Sequence, residues 1–239
     1  MNVVISQPMY FPWIGFLEQL QIANVFVLYD DVQFSKGSFT NRVQIKTHAG
    51  PRWLTVPLRG LRLGQLINEV QINDQIDWRR QHRETLSQAY KNCAFVRDMI
   101  DLVDTVFSQP VESLSELSNA STFALAEYFN VGTSLSRYVA ADMKIVGGGS
   151  QRVLDIVRFL GGKAYITGHG ARNYLDHCAF EQAGITVRYM DYCCLPYQQQ
   201  HGDFTPYVSA LDLVANCGRD GINYIQSTSI DWRDFIDEL

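Results

Sequence analysis

The sequence predicts an α/β fold, a Rossmann-like and mostly parallel sheet interrupted by an inserted β-hairpin and helical segment. Three observations predict it. Short apolar runs recur at Val3 to Ile5, Val25 to Tyr29, Leu135 to Val139, Ala164 to Thr167 and Thr186 to Tyr192, with the continuity of strands buried on both faces. Segments of helical apolar spacing follow most of them, which is the rhythm of parallel β-α-β units. That rhythm breaks only between Asp31 and Thr133, so residues 1–239 are expected to form one domain in which 32–133 is an insertion.

The first strand leads into Gln7-Pro8-Met9-Tyr10-Phe11-Pro12-Trp13-Ile14-Gly15-Phe16, a stiff aromatic turn, and then into a helix over Phe16 to Ala23 that sends Leu17 and Leu20 to a core. The second strand ends in Asp30-Asp31. Arg42 to Lys46 and Trp53 to Pro57 flank His48-Ala49-Gly50-Pro51 and read as an antiparallel hairpin added to the sheet. Asp77 to about Asn130 carries three helical patterns, the third with Pro110 near its first turn. Gly147-Gly148-Gly149-Ser150 opens a helix over Gln151 to Leu160, with Ser150 placed to cap it. A loop at Gly168-His169-Gly170-Ala171, a short helix around Tyr174 to Gln182 and a helix from Ser209 to Asn216, stopped at Gly218, complete the pattern.

Composition narrows the function classes. The 239 residues are 46% hydrophobic and 19% charged, with a net charge of −5 and no block of basic residues. That argues against a nucleic-acid surface. No run reaches the length of a membrane span and no signal peptide opens the chain, so a cytoplasmic protein without a membrane partner is expected. Five cysteines lack paired metal-site spacing and read as reduced thiols, with Cys193-Cys194 the one pair placed to include a nucleophile. No metal site is expected.

In an open parallel sheet, ligands bind beyond the carboxyl ends of the strands. Candidate site residues follow from that edge. Asp30 and Asp31 stand where they can orient an amine or bind a metal, although acids at a strand end serve equally as caps or solvated charges. His169, between two glycines, is a candidate general base, and Gly168 and Gly170 let backbone approach a ligand closely. Arg42 beside Asn41 offers a planar fork for phosphate or carboxylate. Tyr10, Trp13, Tyr174 and Tyr197 suit stacking on a sugar or base, with core packing as the competing role.

The opening turn, Asp30-Asp31-Val32-Gln33-Phe34, Asn41-Arg42, Trp53 to Pro57, Gly168 to Asp176 and Phe204 to Ser209 together resemble the WbqC-like family, and the likeness runs almost end to end. Gln7 and Gln33 join the binding set through these motifs. The resemblance implies an enzyme of O-antigen and related surface-polysaccharide synthesis. The family's usual histidine before Pro196 is replaced by Leu195, which weakens a catalytic role there. A second resemblance is to HUP-type nucleotidyltransferases, whose H-x-G-H falls on Trp13-Ile14-Gly15-Phe16, without either imidazole.

The expected function is therefore an acyl- or aminoacyltransferase that forms an amide on a nucleotide-linked amino sugar. Its donor would be an acyl carrier protein or coenzyme A thioester, and no tightly bound cofactor is expected. An ATP-dependent amide ligase or nucleotidyltransferase of HUP type, using Arg42 and Asp30 or Asp31 with magnesium, and a non-catalytic sugar-binding protein are the alternatives.

Overall fold

The structure is a computed structural model that describes residues 1–237. In chain order its strands and helices are β1 (Asn2–Ser6), α1 (Ile14–Ile22), β2 (Val25–Leu28), β3 (Arg42–Thr47), β4 (Gly50–Thr55), β5 (Leu58–Arg59), β6 (Gln71–Ile72), α2 (Trp78–Ala89), α3 (Val96–Phe107), α4 (Leu114–Tyr128) and β7 (Ser136–Val139). There follow α5 (Gly149–Phe159), β8 (Ala164–Thr167), α6 (His177–Gln182), β9 (Thr186–Tyr192), α7 (Ala210–Cys217), β10 (Ser227–Asp231) and α8 (Trp232–Asp237).

All five predicted strands lie in one six-stranded sheet of order β10-β9-β8-β1-β2-β7. Every neighbouring pair is parallel except β9 and β10. β1 sits at the centre, with Val3 level with Val25 on one side and with Tyr165 on the other. From β1 the chain builds outward through β2 to β7, then returns to build through β8 and β9. The direction of winding therefore reverses between β1 and β8, which opens a crevice at their carboxyl ends.

Period-two alternation divides the core between the two faces of the sheet. Val4, Phe26 and Leu28 pack with Leu17 and Leu20 of α1 and with the apolar faces of α3, α4 and α7. Val3, Ile5, Val25 and Val27 pack instead with Val153, Ile156 and Val157 of α5 and with Phe180 of α6. Burying each such side chain contributes about 1.5 to 3 kcal/mol before the entropy of ordering is subtracted.

Four expectations are corrected. The β3–β4 hairpin is a sheet of its own rather than an extension of the main one, pairing Arg42 with Thr55 and Val43 with Leu54. Pro110 lies outside α4, whose start is set by Ser113, which accepts from the Glu116 amide at 3.2 Å while the Glu116 carboxylate accepts from the Ser113 amide. Ser150 does not cap α5; Gly148 is the N-cap, and the Ser150 hydroxyl accepts from the Asp176 amide at 2.8 Å. The segment expected as a loop at Gly168 to Ala171 forms a 3-10 turn over His169–Asn173, and the short helix expected from around Tyr174 begins only at His177, as α6.

Candidate functional site

The crevice at the switch point is an open cleft of about 650 Å³. Ser6 and Gln7 at the end of β1, Asp31 and Gln33 beyond β2, and Thr167, Gly168 and Gly170 at the end of β8 contribute to its wall. Gly147, Gly148 and Gly149 close another side, together with Arg152 from the first turn of α5. No side chain caps α5, its first turn holds no acid, and the first amides of a helix have no intrahelical acceptor. A Cβ added to Gly148 or Gly149 would meet nothing within 4 Å, and Gly149 has φ of +58°. This glycine turn thus lines the cleft with an uncapped helix N-terminus and no side chain over its backbone, the arrangement that receives anions at helix N-termini.

Arg152 is buried and fixed on three sides. Its guanidinium pairs with Asp31, its Nε donates to the Ile145 carbonyl at 2.8 Å, and it lies 5.1 Å from the centre of the Tyr29 ring. The Asp31 hydrogen bond holds the Arg152 guanidinium above its ordinary pKa, so the group is a permanent cation. Asp31 Oδ1 is buried with no hydrogen-bond partner. The rest of the wall carries no charge and mixes apolar side chains, Trp13 and Phe16 among them, with a polar set: Gln19 accepts from Ser6 Oγ at 2.9 Å and donates to Tyr192 Oη at 2.9 Å, while Tyr165 donates to Thr167 at 3.2 Å.

Of the predicted residues, Gln7, Trp13, Asp31, Gln33, Gly168, Gly170 and Tyr174 meet in this cleft. The others go elsewhere, for identifiable reasons. Tyr10 is fully buried with its hydroxyl 3.0 Å from His82 Nδ1, among Trp78 and Phe11. Phe11 at φ of +38° turns the chain there, held by Ser121 on its amide and Ser209 on its carbonyl. Asp30 points to the opposite side of the chain from Asp31, accepting from Ser115 of α4 at 2.6 Å; burial pushes its carboxyl up.

Asn41 is buried and donates to the Val56 carbonyl at 3.2 Å, and Arg42 stacks 4.2 Å from the centre of the Trp53 ring. Tyr197 donates to Asp212 at 2.8 Å in a buried network behind α7. The His169 ring turns away from the cleft, although both flanking glycines line it. Its Nε2 donates to the Met190 carbonyl at 2.8 Å, with Tyr192 and Phe235 against the ring. Burial raises the Cys194 thiol, with Glu18 and Cys193 adding to the effect, so that sulfur is not an activated thiolate.

Sequence reasoning did not pick out Arg152. Its signal was present, since an arginine three residues after a glycine triplet falls in the first turn of the helix that the triplet opens. Among the described residues no three histidine, cysteine or acidic side chains cluster to hold a metal ion, and no helix is long and apolar enough to cross a membrane. A larger groove of about 830 Å³ lies between the β3–β4 turn and the end of α2, away from the strand edge.

The profile of the WbqC-like protein family matches residues 7–224, which takes in the cleft lining from Gln7 onward. The chain belongs to the WbqC-like family. A relative, the uncharacterized protein Rv1507c of Mycobacterium tuberculosis (strain ATCC 25618 / H37Rv), is 31% identical over 228 residues, covering 94% of this chain and 97% of its own. No solved structure matches. The WbqC-like match begins at Gln7 and so covers both the aromatic turn and the glycine turn of α5.

Proposed function

We propose that this WbqC-like protein is a transferase that forms an amide on the amino group of a nucleotide-linked sugar, in the assembly of a surface polysaccharide such as O-antigen. The observation that carries the reading is the cleft at the β1/β8 switch point, with the open glycine turn of α5 and Arg152 along one wall and Asp31 beside them. Numbered by parallel strand alone, the sheet order is 3-2-1-4-5, which supports a Rossmann-like assignment of the kind that binds nucleotides at this position.

In this reading the diphosphate lies on the α5 amides and Arg152, and the sugar extends toward Gln7, Gln33 and Tyr174, where an aromatic face and two amides suit hydroxyl-rich rings. The amine nitrogen attacks the thioester carbonyl; the new N–C bond forms as the C–S bond breaks, and the thiol leaves with a proton. Asp31 Oδ1, which has no other partner, takes the proton that nitrogen loses and returns it to the departing sulfur, so the carboxylate is restored. The backbone at Gly168 and Gly170 faces the developing oxyanion.

A HUP-type nucleotidyl transfer fits the strand order but not the side chains. Trp13 and Phe16 occupy the cleft wall where that chemistry uses imidazoles, and Arg42 and Asp30 are held outside the cleft. The test is turnover. Incubated with uridine-diphosphate-linked amino sugars and acyl-coenzyme A, the protein should release free thiol and yield an amide detected by mass spectrometry, and Asp31→Asn should abolish both. Release of pyrophosphate from a nucleoside triphosphate instead would support the nucleotidyl reading, and sugar-nucleotide binding without any turnover would support a binding protein.

A further inference from the structure

A second groove of about 420 Å³ adjoins the cleft. Gln33 lines both, and Leu66, which bridges to Gln33, stands at the shared rim. The groove is walled by Phe34, Leu61 and Leu63 and edged by Lys36 and Arg62. Leu63 is fully exposed and Leu61 is partly so, which gives the groove an apolar side open to a ligand. Neither Lys36 nor Arg62 pairs with an acid among the described residues.

The charge pattern singles out the same segment. Residues 32–68 hold six cations, Lys36, Arg42, Lys46, Arg52, Arg59 and Arg62, and no aspartate or glutamate, while all 25 acids of this net-negative chain lie elsewhere. Such segregation marks a surface that selects an anionic partner. Only Lys46 of the six is fully buried, its ammonium held by Gln199 and the Gly202 carbonyl at 3.0 Å each.

We infer that this groove is the donor channel: it takes the phosphate-ended arm of an acyl thioester, with the phosphate on Lys36 and Arg62, the chain along Phe34, Leu61 and Leu63, and the thioester delivered past Gln33 into the cleft. The inference rests on the transferase reading. A phosphopantetheine arm combines a terminal phosphate, an uncharged amide-containing chain and a distal sulfur, and the groove offers it two cations, an apolar wall and, at Gln33, an amide shared with the cleft. That arm is common to coenzyme A and to carrier proteins. The two substrates then enter from different ends, the nucleotide sugar from the α5 turn and the donor from the groove edged by Lys36 and Arg62.

The full chain is titrated calorimetrically with coenzyme A, phosphopantetheine, pantetheine and a phosphopantetheinylated acyl carrier protein. Phosphopantetheine should bind at least about tenfold more tightly than pantetheine, and Lys36→Ala/Arg62→Ala should remove that advantage. Lys91→Ala, on a different surface, should change nothing. A carrier protein that binds in a Lys36- and Arg62-dependent manner where coenzyme A does not would identify the protein-bound source of the same arm. Equal affinities for pantetheine and phosphopantetheine, no binding of any of the four, or an unaffected double variant would overturn the inference. A parallel titration with uridine diphosphate separates the two proposals: its failure strikes the nucleotide-sugar reading, and its success with no donor binding strikes this one.

Discussion

Arg152, in the first turn of α5, is paired with Asp31, the second residue of the acidic pair beyond β2, and the pair joins two walls of the cleft. Each partner holds the other. Truncating one leaves a largely buried charge uncompensated, so Arg152→Ala and Asp31→Ala should each cost about 3 kcal/mol or more of stability. The double variant should lose less than the sum of the two, because no orphaned charge remains. Denaturant unfolding of the three proteins checks this, and strict additivity would show that the pair is not a coupled unit.

Asp31→Asn keeps the shape of the side chain but removes its basicity. Turnover should fall about a hundredfold or more, with the affinity for the nucleotide sugar changed far less. Steady-state kinetics with the amino sugar varied separates the two effects. Loss confined to KM would assign Asp31 to binding alone.

His169→Ala is expected to leave turnover within a few-fold of the parent, since its ring leaves the cleft and its Nε2 is spent on the Met190 carbonyl. Stability should fall by about 1 kcal/mol from that lost hydrogen bond, with a further loss from the contacts to Tyr192 and Phe235. A hundredfold loss of turnover at unchanged melting temperature would restore the imidazole to the mechanism.

Much of the sheet was legible because its strands are buried on both faces and so appear as unbroken apolar runs. β10 was not, since Ser227-Thr228-Ser229 offers no apolar alternation; it forms an antiparallel edge, recruited by register with β9 rather than by its own propensity. The site was legible in position but less so in membership. The switch-point rule located the edge, whereas neighbouring residues leave a strand end in opposite directions: Asp31 enters the cleft while Asp30 turns to Ser115, and Trp13 enters while Tyr10 turns to His82. Which of two neighbours faces in depends on what packs behind, and that information lies in α2 and α4, far away in the chain.

Gly15 shows why the aromatic turn needs its glycine. A Cβ there would come within 2.3 to 2.8 Å of three atoms of the Trp13 indole, which lies across it and forms part of the cleft wall. Gly15→Ala should therefore displace the indole and cost about 1 to 3 kcal/mol. Near-ultraviolet circular dichroism and thermal unfolding check both effects.

Glu18 gives a pH dependence with a definite sign. Burial, the main cause, raises its carboxyl from 4.5 to about 7, against a hydrogen bond from the Gln226 backbone that favours ionisation. The folded state then holds a proton that the unfolded state releases between those values, so stability falls as pH rises from 4.5 to 7 and stays lower above. The loss is roughly 3 kcal/mol. Glu18→Gln should flatten this slope, and unfolding measured at several pH values across the window decides it.

The central claim is that the diphosphate of a sugar nucleotide rests on the α5 glycine turn and Arg152. Amide chemical shifts of Gly147, Gly148 and Gly149, followed by nuclear magnetic resonance during titration with uridine diphosphate and with uridine, test it most directly. Uridine diphosphate should move these three resonances and the Arg152 Nε signal, uridine should move them little, and Arg152→Ala should weaken binding about tenfold. Uridine diphosphate that binds while these resonances stay in place, or that binds Arg152→Ala equally well, would contradict the account.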